Sequence, residues 1–422
     1  MGLGQPVDVA LIGAGNRSQK VYKPLINEIN PWVNLVAVCD PIRENSDNLA
    51  KALGVPAFYD IKELVKSRPM EAAFVVTPVP SHHSIAVYLM SNGIHVNVET
   101  SMATLLIQAQ EMVDTARTNN VILRIGENFF RQPFDRLIRM IDKNGFIGPI
   151  KRLTCWHDHT GYHNNSRWLS FFQSYPIAAQ AITHTMSTSE HYQMPHRMYD
   201  SETYKAHFYW FPNNELVIDH AGNIKSMLGR YPRPGYTELA GTRGSIVQQA
   251  ASKKSAAKQP YQGWEGLGEV RYCSAESLQQ HGKSGVADQI FPIVHKSNNH
   301  DWLSSHVDLP TGRVEYVNPY RPGKSAYHHG NYYSAAVMDH IVDFAKTIRF
   351  EKKSEYTDKD ALMAMMMEVA TRESAMKNGE RLSLPLKGEL RSEILMRTKQ
   401  IKEYGVDPLD IEGMLAIKFP RP

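Results

Sequence analysis

The sequence predicts an α/β protein whose first part is a doubly wound parallel sheet. Three observations carry this. Short apolar runs alternate with helical patterns from Val7 to Ile125, the first run ends in Gly13-Ala14-Gly15, and the second ends in the acidic Asp40. Strands that alternate with helices at this pace build βαβ units, and so a parallel sheet with helices on both faces.

The first run, Val-Asp-Val-Ala-Leu-Ile over 7–12, is nearly continuous in apolar residues, as expected for a strand buried on both faces. Gly13-Ala14-Gly15-Asn16-Arg17 follows at once and opens a helical pattern through Tyr22, Leu25 and Ile26. Gly13 permits a tight turn, Gly15 lets backbone approach an anion closely, and the helix N-terminus offers unpaired N–H groups. The third glycine position of the dinucleotide-binding pattern holds Ser18. The glycines alone also describe an ordinary βα turn, and it is the strand before and the helix after that give them weight.

The run 35–39 is again apolar and ends in Asp40, 27 residues past Gly13. A carboxylate there holds the adenosine ribose hydroxyls and repels a 2′-phosphate, which favours NAD over NADP. Arg43 lies close enough in sequence to soften that preference, and Asp40 is equally placed to cap the next helix. Further strands at 72–76, 94–98 and 121–125 alternate with helices at 84–92 and 108–118. They end at Thr77-Pro78, at Glu99-Thr100-Ser101 and at Gly126-Glu127-Asn128. Ligands of such sheets bind at strand C-termini, so Thr77, Pro78, Glu99 and Asn128 are expected around one crevice with Gly13, Gly15, Asn16, Arg17 and Asp40.

Composition narrows the class. The chain has 422 residues, enough for two domains, and 42% of them are hydrophobic, enough for a core in each. A net charge of +4, with no long basic run, argues against a nucleic-acid partner. No stretch reads as a membrane span or a signal peptide, and a cytoplasmic location is expected. Three cysteines, Cys39, Cys155 and Cys273, are too few and too odd for a disulfide framework.

The second half begins with a helix at 133–143 and an alternating strand at 150–156. The segment from Trp156 to Trp168 is dense in polar rings: His157, His159, Tyr162, His163 and Arg167. Such groups bind sugars, yet they also suit a structural loop, and His157, Asp158 and His159 have the composition of a metal site. No metal is expected. The stretch 251–262 reads as an exposed insertion. The methionines at 363–367 lie at helical spacing and read as core.

Taken in order, these pieces resemble the Gfo/Idh/MocA superfamily of glucose–fructose oxidoreductase and inositol dehydrogenase. The matching pieces are Gly13-Ala14-Gly15, Asp40-Pro41, Thr77-Pro78 with His82 and Ala86, 93–96, Glu99, and 128–133. Further on they are 148–150, the 241–246 hairpin and the closing helix at about 360–378 with Leu384-Pro385. The resemblance implies an NAD-binding Rossmann domain over 1–130 and a C-terminal α/β domain over 131–422, built on a large, mostly antiparallel sheet. The outer face of that sheet would support a homo-oligomer, and the inner face would cover the nicotinamide and hold a sugar or glycoside. His82 and Trp168 are placed at the cofactor. The family's Glu-Lys-Pro is here Glu99-Thr100-Ser101, and a threonine cannot supply the cationic field that eases alcohol deprotonation. The family also carries an Asp and a His four residues apart on a helix facing the nicotinamide. Gln180 and His184 stand in those places, which makes His184 the expected general base. Thr100, Tyr162 and His163 are further catalytic candidates, and His157, His159, Arg167, Gln180 and His329 are expected at the substrate.

Three functions follow from the resemblance. One is an NAD-dependent oxidoreductase acting on a sugar or glycoside hydroxyl. Another is a glycoside-cleaving enzyme that retains its NAD through oxidation, elimination, hydration and reduction. The third is a non-catalytic NAD-binding protein.

Overall fold

The structure, a computed structural model, describes residues 5–26, 28–29, 31–157, 161–194, 197–222, 236–249, 267–280, 287–298, 301–320, 330–350 and 352–419. His159, His329 and the stretch 251–262 lie outside the described residues, and of His157 only the backbone is described.

Strand β1 (Val7–Ile12) leads into a helical stretch, α1, made of Ser18–Tyr22 and Lys23–Leu25. Then come β2 (Val33–Cys39), α2 (Arg43–Leu53), β3 (Ala57–Phe58), α3 (Ile61–Ser67) and β4 (Ala72–Val75). They are followed by α4 (His82–Ser91), β5 (His95–Val98), α5 (Leu106–Thr118) and β6 (Leu123–Ile125). All six strands pair in parallel, in the order β3-β2-β1-β4-β5-β6. Order reverses between β1 and β4, and a crevice opens there at the strand C-termini.

The chain continues through α6 (Pro133–Asn144), β7 (Ile150–His157), α7 (Gly161–Phe172), β8 (Ala178–Met194), β9 (Arg197–Trp210) and β10 (Leu216–Gly222). Next are β11 (Tyr236–Gly241), β12 (Gly244–Gln249), β13 (Leu267–Tyr272), α8 (Ala275–Gln279), β14 (Gln289–Asn298), β15 (Asp301–Leu309) and β16 (Gly312–Val317). The last elements are α9 (Gly330–Phe350), α10 (Asp358–Met376), β17 (Leu382–Ser383), α11 (Arg391–Tyr404) and α12 (Ile411–Leu415). The second sheet has eleven strands, ordered β16-β15-β14-β13-β12-β11-β7-β10-β9-β8-β17. Among the described strand pairs of this sheet, β7–β10 is parallel and the others are antiparallel.

Two helices from the second half pack on the first. Tyr333, Val337, Met338, Ile341, Val342, Phe344 and Ala345 of α9 join the core formed by β1, β2 and α1. Their three- and four-residue spacing puts them on one helical stripe, and each large side chain fully buried is worth ~1.5–3 kcal/mol. On the other face the core runs without a break from α4 and α5 through Phe130 and Phe134 to α7, α10 and the large sheet. The methionine stretch belongs to α10, where Met367 is fully buried and Met363 and Met365 pack partly buried against this core.

The chain from 178 to 184 departs from expectation. It is strand, not helix: Gln180 pairs with Phe208 and His184 with Tyr204. Ile182, Thr183 and Thr185 are β-branched, and the long pairing with β9 outweighs the helical spacing of Gln180 and His184. A helix does follow β7, but it is α7, formed by the ring-rich segment itself.

Candidate functional site

Around the glycine turn the geometry is tight on one side and open on the other. Gly13 has φ +95°, and a Cβ there would lie 2.4 Å from the Val76 carbonyl oxygen at the end of β4. Apart from the turn's own adjoining residues, no heavy atom lies within 4 Å of where a Gly15 Cβ would stand. The space above Gly15 is thus available to an approaching phosphate, and Asn16 beside it is exposed. Ser18, in the third glycine's place, is buried and donates its hydroxyl to the Gly13 carbonyl at 2.6 Å, which closes the turn.

Asp40 is buried and bonded to backbone on both sides, but it does not cap α2, whose N-cap is Ile42 without a side-chain cap bond. Its Oδ2 accepts the Ala14 N–H at 2.7 Å and its Oδ1 accepts the Ile42 N–H at 2.9 Å. Each carboxylate oxygen keeps a second lone pair for a ribose hydroxyl. Arg43 lies over the Tyr59 ring, 4.0 Å from its centroid.

Glu99, buried at the end of β5, gathers the next group. Its Oε1 accepts from Arg17 Nε and from the Tyr22 hydroxyl, both at 2.9 Å, and its Oε2 accepts the Thr100 N–H at 3.3 Å. Burial works to raise its carboxyl, but the nearby Arg17 guanidinium and the hydrogen bonds overcome this and hold it below the usual range. Asn128 donates to the Tyr333 hydroxyl at 3.5 Å and accepts from His340 Nδ1 at 2.5 Å. Thr77 receives the Ser81 hydroxyl at 2.8 Å, and Pro78 is exposed beside it. The glycine cradle, the open space over Gly15 and the acidic Asp40 fit a dinucleotide.

A cavity of about 230 Å³ lies between the loops after β4, β5 and β6 and the helices α7 and α10 of the second half. Its lining includes Ser101, Thr104, Glu127, Tyr162, and Glu368 and Arg372 of α10. Glu127 is buried, with its Oε2 3.0 Å from His163 Nδ1 and 3.4 Å from the Ser166 hydroxyl. Burial, and then the charge of Glu99, raise its carboxyl well above the usual range. His163 stacks on Phe129 at 4.4 Å between centroids and touches the Tyr162 ring at 4.2 Å. Among the described residues, no three His, Cys, Asp or Glu side chains converge as metal ligands.

Several expected site residues stand elsewhere. His184 is exposed on β8 and does not line the cavity, so it is not placed to be the base there. Gln180, on the same strand, donates to the Gly379 carbonyl at 2.6 Å. Arg167 is buried and grips Asp135 with two bonds of 2.7 and 3.0 Å, which leaves it no reach to a substrate. Trp168 is fully buried in the core beneath α7. His82 is also fully buried, with its ring nitrogens 2.7 Å from the Ser101 carbonyl and 2.8 Å from the Thr77 carbonyl. It braces the two crevice loops from behind and does not face the crevice. Thr100, half-buried, presents only backbone to Glu99 among these contacts. In place of the displaced residues the structure offers Glu127, Tyr22 and Tyr333. Glu127 was within reach of the strand-end rule, since it stands directly between the turn Gly126 and Asn128.

A parallel sheet of this order with a glycine phosphate turn, followed by a second mixed sheet, defines a dinucleotide-binding architecture. The family model described as "Oxidoreductase family, NAD-binding Rossmann fold" matches residues 7–127. That match covers the first domain, where the chain resembles the Gfo/Idh/MocA superfamily. A glycosyl hydrolase family 109 protein of Streptomyces filamentosus is 29% identical over 180 residues, 40% of this chain and 35% of that one. The chain therefore spans about a third of that relative's length. The D-glucoside 3-dehydrogenase of Escherichia coli is 32% identical over 147 residues, 34% of this chain and 41% of that one. Levoglucosan dehydrogenase, solved with NADH and levoglucosan, superposes with a TM-score of 0.63 at 17% identity, covering 90% of this chain and all of that one, a likeness of fold.

Proposed function

We propose that this protein is an NAD-dependent oxidoreductase acting on a hydroxyl group of a sugar or glycoside. The observation that carries the proposal is a cavity lined by Tyr162 and Glu127 together with Ser101 from the strand-end loop after Glu99, with His163 held against Glu127. NAD, when bound, supplies the hydride acceptor. Gly13, Gly15 and Asp40 hold its phosphate and adenosine side. Tyr162 takes the hydroxyl proton as its own phenolic proton passes to His163, whose ring is held by Glu127. Burial, and then the charge of Glu99, favour the neutral form of Glu127 over an isolated buried charge. Glu368 and Arg372 offer the cavity the acceptors and donors that orient a polyol. A homo-oligomer formed through the large sheet is part of the same proposal, supported by the exposed apolar side chains of Ile182, Ile290, Leu303 and Val317.

A second function is favoured by one specific pair of facts: the likeness to glycosyl hydrolase family 109 proteins and the absence of lysine at position 100. In it NAD would stay bound: a sugar hydroxyl is oxidised, the C–H next to the new carbonyl is deprotonated and the aglycone eliminated, water adds to the resulting double bond, and the ketone is reduced again. One experiment separates the two. The protein is denatured and its supernatant assayed for NAD, and the native protein is offered glycosides with and without added NAD. Accumulation of NADH supports the dehydrogenase. Aglycone release without NADH and without added NAD supports the retained-cofactor hydrolase. A protein that neither contains nor binds a dinucleotide overturns both.

A further inference from the structure

The resemblance leads one to expect a lysine at position 100, and the chain has threonine there. We propose that Arg17 supplies the missing positive charge, reaching the nicotinamide half of the crevice from the first turn of α1. The inference rests on the dinucleotide-binding function proposed above.

Position is the first argument. The sheet reverses order between β1 and β4, and Asp40 marks the adenosine side at β2. The other half of a dinucleotide must then lie over β4, β5 and β6. Arg17 Nε meets Glu99 at the C-terminal end of β5, one residue from Thr100. The guanidinium has therefore crossed from the β1 turn to the nicotinamide side.

Fixation is the second. Arg17 is bonded to Glu99 at 2.9 Å, and Tyr22 binds the same carboxylate oxygen, so the anchor is itself held. Its guanidinium lies 5.6 Å from the centre of the Tyr333 ring on α9. Three elements thus place one cation, and about a quarter of its side chain is still exposed to solvent. A long side chain pinned this way loses less freedom on meeting an anion than a solvated one.

Exclusion is the third. Arg131 is held by Asp339 and Asp343 at 3.0 and 2.9 Å. The cavity's own arginine, Arg372, donates to Glu393 on α11 at 3.3 Å. Among the described residues, Arg17 is the cation whose ion pair lies on the strand ends of the crevice itself.

The test measures NAD binding by calorimetry and protein-fluorescence quenching, which needs no turnover, in R17Q, R17K and R17Q/T100K alongside the unaltered protein. NAD affinity falls about tenfold in R17Q, as loss of a charge-assisted contact requires. It stays within about threefold of the unaltered protein in R17K, and T100K restores most of the R17Q loss. R17Q binding as tightly as the unaltered protein overturns the proposal, and so does a failure of T100K to restore affinity. Should R17Q not fold by circular dichroism, R17K decides, and a folded R17K that loses affinity tenfold overturns the role of charge. Failure of the unaltered protein to bind NAD is a separate result, and it overturns the dinucleotide function together with this inference.

Discussion

Replacing each glycine of the phosphate turn by alanine separates folding from binding. At Gly13 the new Cβ would lie 2.4 Å from the Val76 carbonyl oxygen and 2.9 Å from its carbon, both backbone of the neighbouring strand. That oxygen must retreat by more than half an ångström to reach even the tightest contact real side chains make. The backbone there is also at φ +95°, where an L-residue pays ~1–2 kcal/mol. Strain and conformation together give G13A a loss of about 3 kcal/mol, or roughly 6–12 °C in the melting temperature of the first domain. At Gly15 nothing beyond the turn's own adjoining residues stands within 4 Å, so G15A should melt within about 2 °C of the unaltered protein. The methyl group instead projects into the space a pyrophosphate needs, and NAD affinity should drop at least about tenfold. Thermal melts followed by circular dichroism, paired with NAD titration, read both effects. The reasoning is refuted if G15A destabilises as much as G13A, or if it binds NAD as the unaltered protein does.

Further expectations bear on the second half. H184A should leave turnover within about twofold of the unaltered enzyme, since His184 is exposed on β8, whereas Y162F and E127Q should each lower kcat about a hundredfold with NAD affinity kept; equal losses in all three variants would contradict the site as drawn. Asp219 is fully buried, and burial lifts its carboxyl to about 7 against the bonds from Asn164 that oppose the shift. A raised carboxyl favours the folded state below its unfolded value near 4, and that stability fades as pH rises to about 7. The stability of D219N relative to the unaltered protein should therefore increase over that window by roughly 4 kcal/mol at most, and chemical denaturation showing no change in the difference would count against it. D135N breaks one side of the buried Arg167 fork and should cost about 3–5 kcal/mol, a loss a urea titration would show or deny.

The sequence made the first sheet legible almost throughout, because its strands are short apolar runs closed by turn residues and its pairing is local βαβ. Gly13, Asp40 and Glu99 announced the crevice for the same reason: strand ends are where such a sheet presents its polar groups. The second half was harder. Gln180 and His184 have the spacing of a helix face, yet β-branched neighbours and a partner strand more than a dozen residues away decide in favour of sheet. Spacing sees only the local chain, and β8 is settled by β9. The polar segment after β7 read as a sugar-binding loop, when much of its polarity faces inward as α7: Asn164 to Asp219, Arg167 to Asp135, His163 to Glu127. Buried polar networks carry the same residue types as ligand sites, so composition alone does not tell them apart. That Arg17 turns to Glu99 is a matter of side-chain direction, which no one-dimensional pattern records.

The returning helices α11 and α12 bear on how this molecule is born. Thr104, Leu106 and Gln108, at the start of α5, bond to Gln400, Glu393 and the Pro408 carbonyl, and Lys62 of α3 pairs with Glu412. Gln108 and His83 are buried in the finished protein, and Met414 is sealed in alongside them. During synthesis the first sheet leaves the ribosome some three hundred residues before its covering segment does. Through that interval its α4–α5 surface is wetted and unfinished, and α9, which closes the opposite face, is also still to come. A nascent chain halted after the sixth strand should be a loosened sheet, prone to capture by chaperones, and full rigidity arrives only when the last helices dock.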